Sequence, residues 1–200
     1  RVGYCTDAEL SEEERFNVVT VSLREPPLRE PSQVLPGAGT GSSACGVCGK
    51  ESLDQVLHPR PSLPWAGALP SLEVIRELPD RLRTQQPLFD LTGGVHAAGL
   101  ADAAGELLVV REDVGRHNAV DKLAGARILG HQTPAASALV LSGRVGFELV
   151  AKAAASGIGA IVAVGAPTSL AVRLAAEAGI ALFGFTSPRR TVQYAGPEVT

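Results

Sequence analysis

The chain has 200 residues, of which 45% are hydrophobic, 20% charged and 4% aromatic, which suits one domain, or one domain with an extension, around a sizeable core. A formal net charge of −3 excludes a strongly basic nucleic-acid footprint. Three cysteines, Cys5, Cys45 and Cys48, do not make a disulfide framework, so a reducing, cytoplasmic setting is expected.

In chain order, Arg1 to Glu14 is polar and acid-rich, with Cys5 expected as a small buried hydrophobe. The β-branched run Asn17 to Leu23 predicts a strand. Arg24 to Gly41 carries four of the fourteen prolines plus glycines, and reads as an extended connection delivering the loop that follows. That loop, Ser42-Ser43-Ala44-Cys45-Gly46-Val47-Cys48-Gly49-Lys50, sets two cysteines at CxxC spacing among glycines and a lysine. A thiol beside cationic groups and free N–H donors has a lowered pKa, and the thiolate attacks sulfur or binds metal. Three readings stay open from these residues alone: a redox pair, half of a zinc site with His58 as the nearest addition, or a cysteine carrying persulfide sulfur.

Leu72, Ile75, Leu78 and Leu82 follow helical spacing, and Pro79 is expected to kink or split that helix. Gly94 to Leu100 and Glu106 to Arg111 predict short strands joined at Gly105, and Asn118 to Leu129 predicts a helix with Asn118 as its N-cap. Apolar runs Ala138–Leu141, Ala160–Val164 and Ala181–Phe185 then alternate with amphipathic helices Phe147–Ser156 and Ser169–Ala178, and Gly157 and Gly179 stand at C-cap positions. Continuous apolar strands separated by helices predict an α/β fold with a parallel sheet covered on both faces. The division expected is a β-containing N-terminal part with the CxxC loop over residues 1–62, and an α/β domain over 63–200. No signal peptide or membrane-spanning run is present in the sequence, and a start at Arg1 rather than methionine suggests a piece of a longer chain.

Ligands of open parallel sheets sit beyond the carboxyl ends of the strands. Ser142-Gly143-Arg144, Gly165 to Ser169 and Thr186 to Arg190 fall there. The first two run into helix N-termini, which attract anions, and Arg144, Arg189 and Arg190 add phosphate-binding guanidinium groups. A phosphorylated ligand, such as a nucleotide, is the expectation from the set; taken singly, Arg144 is better explained by an ion pair and Arg189 and Arg190 by a solvated turn. Asp113, Arg116 and His117 form a titratable cluster that suits either an acid–base pair or a hydrogen-bonded corner. His96 ends a glycine-rich turn and reads as buried structural or catalytic.

The chain resembles the formate dehydrogenase accessory sulfurtransferase family (FdhD) through Ser43–Lys50 (SACGVCGK), Leu91–Ala98 (LTGGVHAA), Glu112–Lys122 (EDVGRHNAVDK), Leu141–Lys152 (LSGRVGFELVAK) and Gly165–Val172 (GAPTSLAV). The resemblance implies a cytidine deaminase-like three-layer αβα core with a mobile CxxC loop. It implies a homodimer that takes sulfur from a cysteine desulfurase and passes it to the molybdenum bis(molybdopterin guanine dinucleotide) cofactor of formate dehydrogenase. GDP would be a surrogate for the guanosine half. The resemblance puts the persulfide on Cys45 with Cys48 as its partner, and the cofactor contacts on Phe185, Thr186, Ser187, Pro188, Arg189 and Arg190, joined by Arg144 and Thr168 from the rim. The family pattern has arginine where Ser187 stands, which leaves Arg189 or Arg190 to meet the phosphate. A zinc deaminase needs H-x-E and P-C-x-x-C, whereas His96 is followed by Ala97-Ala98 and no cysteine lies downstream; deamination is excluded, and no resident metal is expected.

Overall fold

The computed structural model describes residues 1–4, 11, 19–26, 65–130 and 137–199. The chain divides into two compact units, Arg1–Gly41 and Ser42–Thr200. In the first, β1 (Val2–Tyr4) pairs antiparallel with β2 (Val19–Val21). The ladder is extended by a reciprocal pair of bonds between Arg1 and Ser22, 2.7 and 2.8 Å long.

The second unit is built on a six-stranded sheet. Its elements are α1 (Leu72–Arg83), α2 (Pro87–Thr92), β3 (His96–Ala101), β4 (Leu107–Asp113), α3 (Arg116–Leu129) and β5 (Ala138–Leu141). They continue with α4 (Phe147–Ala155), β6 (Ala160–Ala163), α5 (Ser169–Glu177), β7 (Ala181–Ser187) and β8 (Arg190–Ala195). The strand order is β4-β3-β5-β6-β7-β8. Only β5, β6 and β7 run parallel; every other pairing is antiparallel, so the sheet is mixed rather than parallel as expected. The antiparallel strands belong to hairpins: β3 returns as β4 through Gly105, and β7 returns as β8 through a tight turn at Pro188-Arg189.

Alternation along the strands sorts the core into two layers. Leu139, Leu141, Ile161, Ala163 and Leu182 face α3, α4 and α5, where Leu123, Leu149 and Leu174 are buried against them. Ala97, Ala101, Ala138, Ala160 and Ala181 face the other way, together with Val140, Val162 and Phe183. These small residues let a single helix, α1, lie close with Ile75, Leu78 and Leu82 fully buried. Each such leucine or isoleucine contributes roughly 1.5–3 kcal/mol by leaving water. The result is three layers, helix on sheet on helices.

Helix α1 runs through Pro79 without splitting. Pro79 itself is buried, in line with Ile75, Leu78 and Leu82 on the packed stripe, and that burial offsets the backbone bond it cannot make. Ser71 caps the helix start by accepting from Val74 N at 3.3 Å. At the ends of α4 and α5, Gly157 and Gly179 adopt φ of +65° and +67°. The next residues, Ile158 and Ile180, donate back to Ala153 and Ala175, the doubled bonding of a left-handed helix stop. Both isoleucines then join the core, so the same signal that ends each helix also fixes the entry of β6 and β7. No helix among the described residues is long and apolar enough to cross a membrane.

Candidate functional site

The sheet topology gathers one rim. Because β3 runs antiparallel to β5, with Ala98 opposite Leu141, the start of β3 lies beside the end of β5. The loops after β5 and β6 and the end of β7 lace together there. Val145 N donates to Ala166 O at 3.1 Å, Thr168 N to Val145 O at 2.9 Å, and Phe185 N to Gly165 O at 3.2 Å. Arg144 and Thr168 in two neighbouring loops and Phe185 near the end of β7 are thereby held together, next to the starts of α4 and α5, where unpaired N–H groups favour an anion.

Each expected rim residue takes a definite place. Arg144, Thr168, Phe185, Pro188, Arg189 and Arg190 are exposed, Ser187 is half-buried, and Thr186 is buried with its hydroxyl 2.9 Å from that of Thr191. Thr168 Oγ1 caps α5 by accepting from Ala171 N at 3.2 Å. Among the described residues no carboxylate pairs with Arg144, Arg189 or Arg190. The Arg190 guanidinium instead sits 5.7 Å from the centre of the Phe185 ring. Phe185 has φ of +50°, the one non-glycine in the left-handed region among the described residues. Such a backbone costs of order 1–3 kcal/mol and persists where surrounding structure holds it. The register of the β7–β8 hairpin shifts across this residue, between Gly184 and Ser187, and turns the ring outward to 43% exposure.

A cleft of about 550 Å³ opens from this rim on the α1 side, lined among others by Arg83, Gln86, Phe89, His96, Ser142 and Thr186. Of the expected contact residues, Thr186 and Ser187 line it, whereas Arg144, Thr168, Phe185, Pro188, Arg189 and Arg190 do not; these flank it on the rim. The volume and the mixture of apolar walls with a few polar groups suit a small organic ligand. His96 opens β3 with its ring against Gly143, where a Cβ would stand 3.2 Å from the ring. Neither ring nitrogen makes a hydrogen bond within the described residues. Ser142 Oγ accepts from Ala97 N at 2.9 Å, which leaves its proton free to donate.

The cluster at Asp113 is of another kind. Asp113 pairs with Lys122 Nζ at 2.6 Å and accepts from Gly115 N at 2.9 Å and Asn118 Nδ2 at 3.2 Å. The bond to Lys122, followed by that from Gly115, holds the carboxyl below its ordinary pKa of 3.8. Asn118 is therefore inside α3 rather than at its N-cap, which is Gly115; its amide completes the Asp113 corner. Glu112 accepts from Leu88 N and Phe89 N, both at 2.9 Å, and so caps α2 from β4. His117 does not pair with Asp113. Its Nε2 lies 3.8 Å from Glu148 Oε2, too far for a hydrogen bond, and is buried without a partner. Burial first, then the neighbouring Arg116 charge, pushes the imidazole below its ordinary value of 6.5, against the pull of Glu148. Asp113, Asn118 and Lys122 thus form a hydrogen-bonded corner, beside which His117 Nε2 and Arg116 Nε stay without a partner among the described residues.

Cys5, Cys45, Cys48, Lys50 and His58 lie outside the described residues. Among those described, no group of three or more His, Cys, Asp or Glu is placed to hold a metal ion. Gln86 of the cleft escaped the sequence reading, since nothing local marks a glutamine as buried; Pro87, at the first turn of α2, was the available sign of the helix that buries it.

Comparison with known proteins agrees with this layout. The model of the FdhD/NarQ family matches residues 4–200. A protein named sulfur carrier protein FdhD from Streptomyces coelicolor is 46% identical over 202 residues, covering 98% of this chain and 71% of that protein. One of the same name from Corynebacterium efficiens is 51% identical over 156 residues, 78% of this chain and 56% of its own length. A solved structure described as a candidate formate dehydrogenase accessory protein from Desulfotalea psychrophila superposes with a TM-score of 0.64 at 33% identity, covering 72% of this chain and 60% of that one. With a family model spanning nearly the whole sequence and relatives this similar, the chain belongs to the FdhD/NarQ family.

Proposed function

We propose that this protein is a sulfur carrier serving formate dehydrogenase, with Cys45 as the sulfur-bearing residue. The observation that carries this reading is 46% identity, across 98% of the chain, to a protein named as a sulfur carrier; that span includes Cys45-Gly46-Val47-Cys48. The Cys45 thiolate attacks the terminal sulfur of a cysteine desulfurase persulfide. A new S–S bond forms on Cys45 and the desulfurase thiolate leaves. In the second step the Cys48 thiolate attacks Cys45 Sγ, and the terminal sulfur leaves as sulfide to the molybdenum of the bis(molybdopterin guanine dinucleotide) substrate. A Cys45–Cys48 disulfide remains, which a dithiol reductant returns to thiols. Lys50, five residues after Cys45, favours the thiolate.

The cofactor's guanosine diphosphate portion is assigned to the rim and its cleft, with Arg144, Arg189 and Arg190 toward phosphate, Thr168 at the α5 start, and Phe185 to Pro188 along the β7 end. Guanidinium groups that meet no carboxylate among the described residues, and the neighbouring helix starts, support this placement. A homodimer in the cytoplasm completes the reading.

Intact-protein mass spectrometry after incubation with a cysteine desulfurase and cysteine tests the central step. A gain of one sulfur atom in the wild type, absent in Cys45→Ala, is expected. An unchanged gain in Cys45→Ala would overturn the assignment. Titration with GDP tests the rim: saturable binding, weakened in Arg189→Ala or Arg190→Ala, is expected, and no binding at millimolar GDP would remove it.

A further inference from the structure

Helix α4 starts at Gly146, an N-cap with no side chain to bond the free amides of the first turn. Glu148 lays its carboxylate over that cap: a Cβ on Gly146 would collide with Glu148 Oε2. The Glu148 side chain is only 17% exposed, and its Oε2 stands 3.8 Å from His117 Nε2 across the α3–α4 junction. That distance is too long for a hydrogen bond, and His117 Nε2 is itself buried without a partner among the described residues. Four charged groups face the imidazole: Arg116 and Asp121 from its own helix, Glu148 and Lys152 from α4. Asp121 and Lys152 are paired with each other, which leaves Arg116 opposing a proton on His117 and Glu148 favouring one. Burial, followed by Arg116, holds the imidazole below its ordinary 6.5. At neutral pH an uncompensated carboxylate therefore occupies the start of α4, the place where a helix attracts an anion. Arg144 of the rim lies just ahead of that helix, so Glu148 competes with any anion the rim receives.

We propose that His117 and Glu148 form a proton-operated control of the rim: with His117 neutral, Glu148 acts as an internal anion that weakens ligand binding, and a proton taken up by His117 pairs the two and removes that competition. Closing the gap to a charge-assisted bond needs a movement of about 1 Å. The coupling is reciprocal, so an anion bound at the rim also tightens the hold of His117 on its proton. The assignment rests on the nucleotide reading above and adds the control of that same site by pH.

Calorimetric titration of the intact protein with GDP at about pH 8 and about pH 5.5, on either side of the ordinary imidazole range, tests it. Wild type and variant are compared at the same pH, so that titration of the GDP phosphate cancels. Wild type and His117→Gln should bind alike at the higher pH. At the lower pH the wild type should bind about two- to fivefold more tightly, the size of one charge at a helix start. Glu148→Gln should exceed the wild type by a similar factor at the higher pH and lose the response to acid, since nothing then draws a proton onto the buried imidazole. Equal affinities of wild type and His117→Gln at both pH values overturn the proposal and leave the nucleotide reading standing, as does a Glu148→Gln that binds no tighter than the wild type at the higher pH. Failure of the wild type to bind millimolar GDP at either pH overturns both. A readout that needs no variant is the titration of the His117 ring C–H resonance. Its midpoint should rise with GDP bound, and an unchanged midpoint at saturation overturns the proposal.

Discussion

Two polar clusters lie near the same end of the sheet and differ in one respect. At the corner built by Glu112, Asp113, Asn118 and Lys122, each of these side chains makes a hydrogen bond to a neighbouring element. On the rim of the cleft, the His96 ring and the Arg144 and Arg189 guanidinium groups make none within the described residues. A satisfied network holds backbone in place, whereas exposed guanidinium groups that meet no carboxylate among the described residues stay available to an anion. Density of titratable residues, which marks Asp113 to Asn118 in the sequence, covers two kinds of group: the Asp113 carboxylate is paired, whereas Arg116 Nε and His117 Nε2 are buried without a partner among the described residues.

That contrast can be broken by mutation. The largest effect is expected at Glu112, since Glu112→Ala removes two bonds that hold α2 across 23 and 24 residues of chain. A loss of about 2 kcal/mol in denaturant unfolding is expected, with weaker GDP binding because α2 carries Phe89 of the cleft. A change under 0.5 kcal/mol, the size usual for a surface substitution, would show that α2 stands without its cap.

Asp113→Asn comes next, at about 1 kcal/mol near neutral pH. The wild-type carboxyl is depressed on folding, so its stabilisation is present above the ordinary value of 3.8 and is lost as pH falls through the lower folded value. The variant should flatten the acid side of a thermal-midpoint profile. An unaltered profile would mean that the Lys122 bond does not persist in solution.

His117→Gln is the smallest. The imidazole is also depressed on folding, so the unfolded chain binds the proton more tightly, and stability falls as pH drops below 6.5 toward the folded value. The substitution should reduce that slope with little change at pH 8. A steeper slope would place a proton on folded His117, paired with Glu148 rather than excluded.

Much of the layered core is readable from residues alone. Ala138–Leu141, Ala160–Ala163 and Ala181–Phe183 are apolar without alternation because the sheet is covered on both faces, and Gly157 and Gly179 end α4 and α5 through φ values that favour glycine. Other parts have no local cause. The antiparallel placing of β3 against β5 depends on pairing between residues some forty apart. Helix α2 has six residues and a cap supplied from β4. Strand β8 follows an arginine pair that reads equally well as a solvated turn.

What the sequence by itself determined is the α/β class, the helix stops, the run of motifs that marks the family and the three stretches that carry the rim, because each rests on spacing within a few residues. Only the tertiary structure decided which polar groups are left unsatisfied. Whether the His117 imidazole or the Asp113 carboxylate finds a partner depends on side chains brought from other elements. Glu112 takes the cap of α2 in the same way, and that choice is made across the fold rather than along the chain.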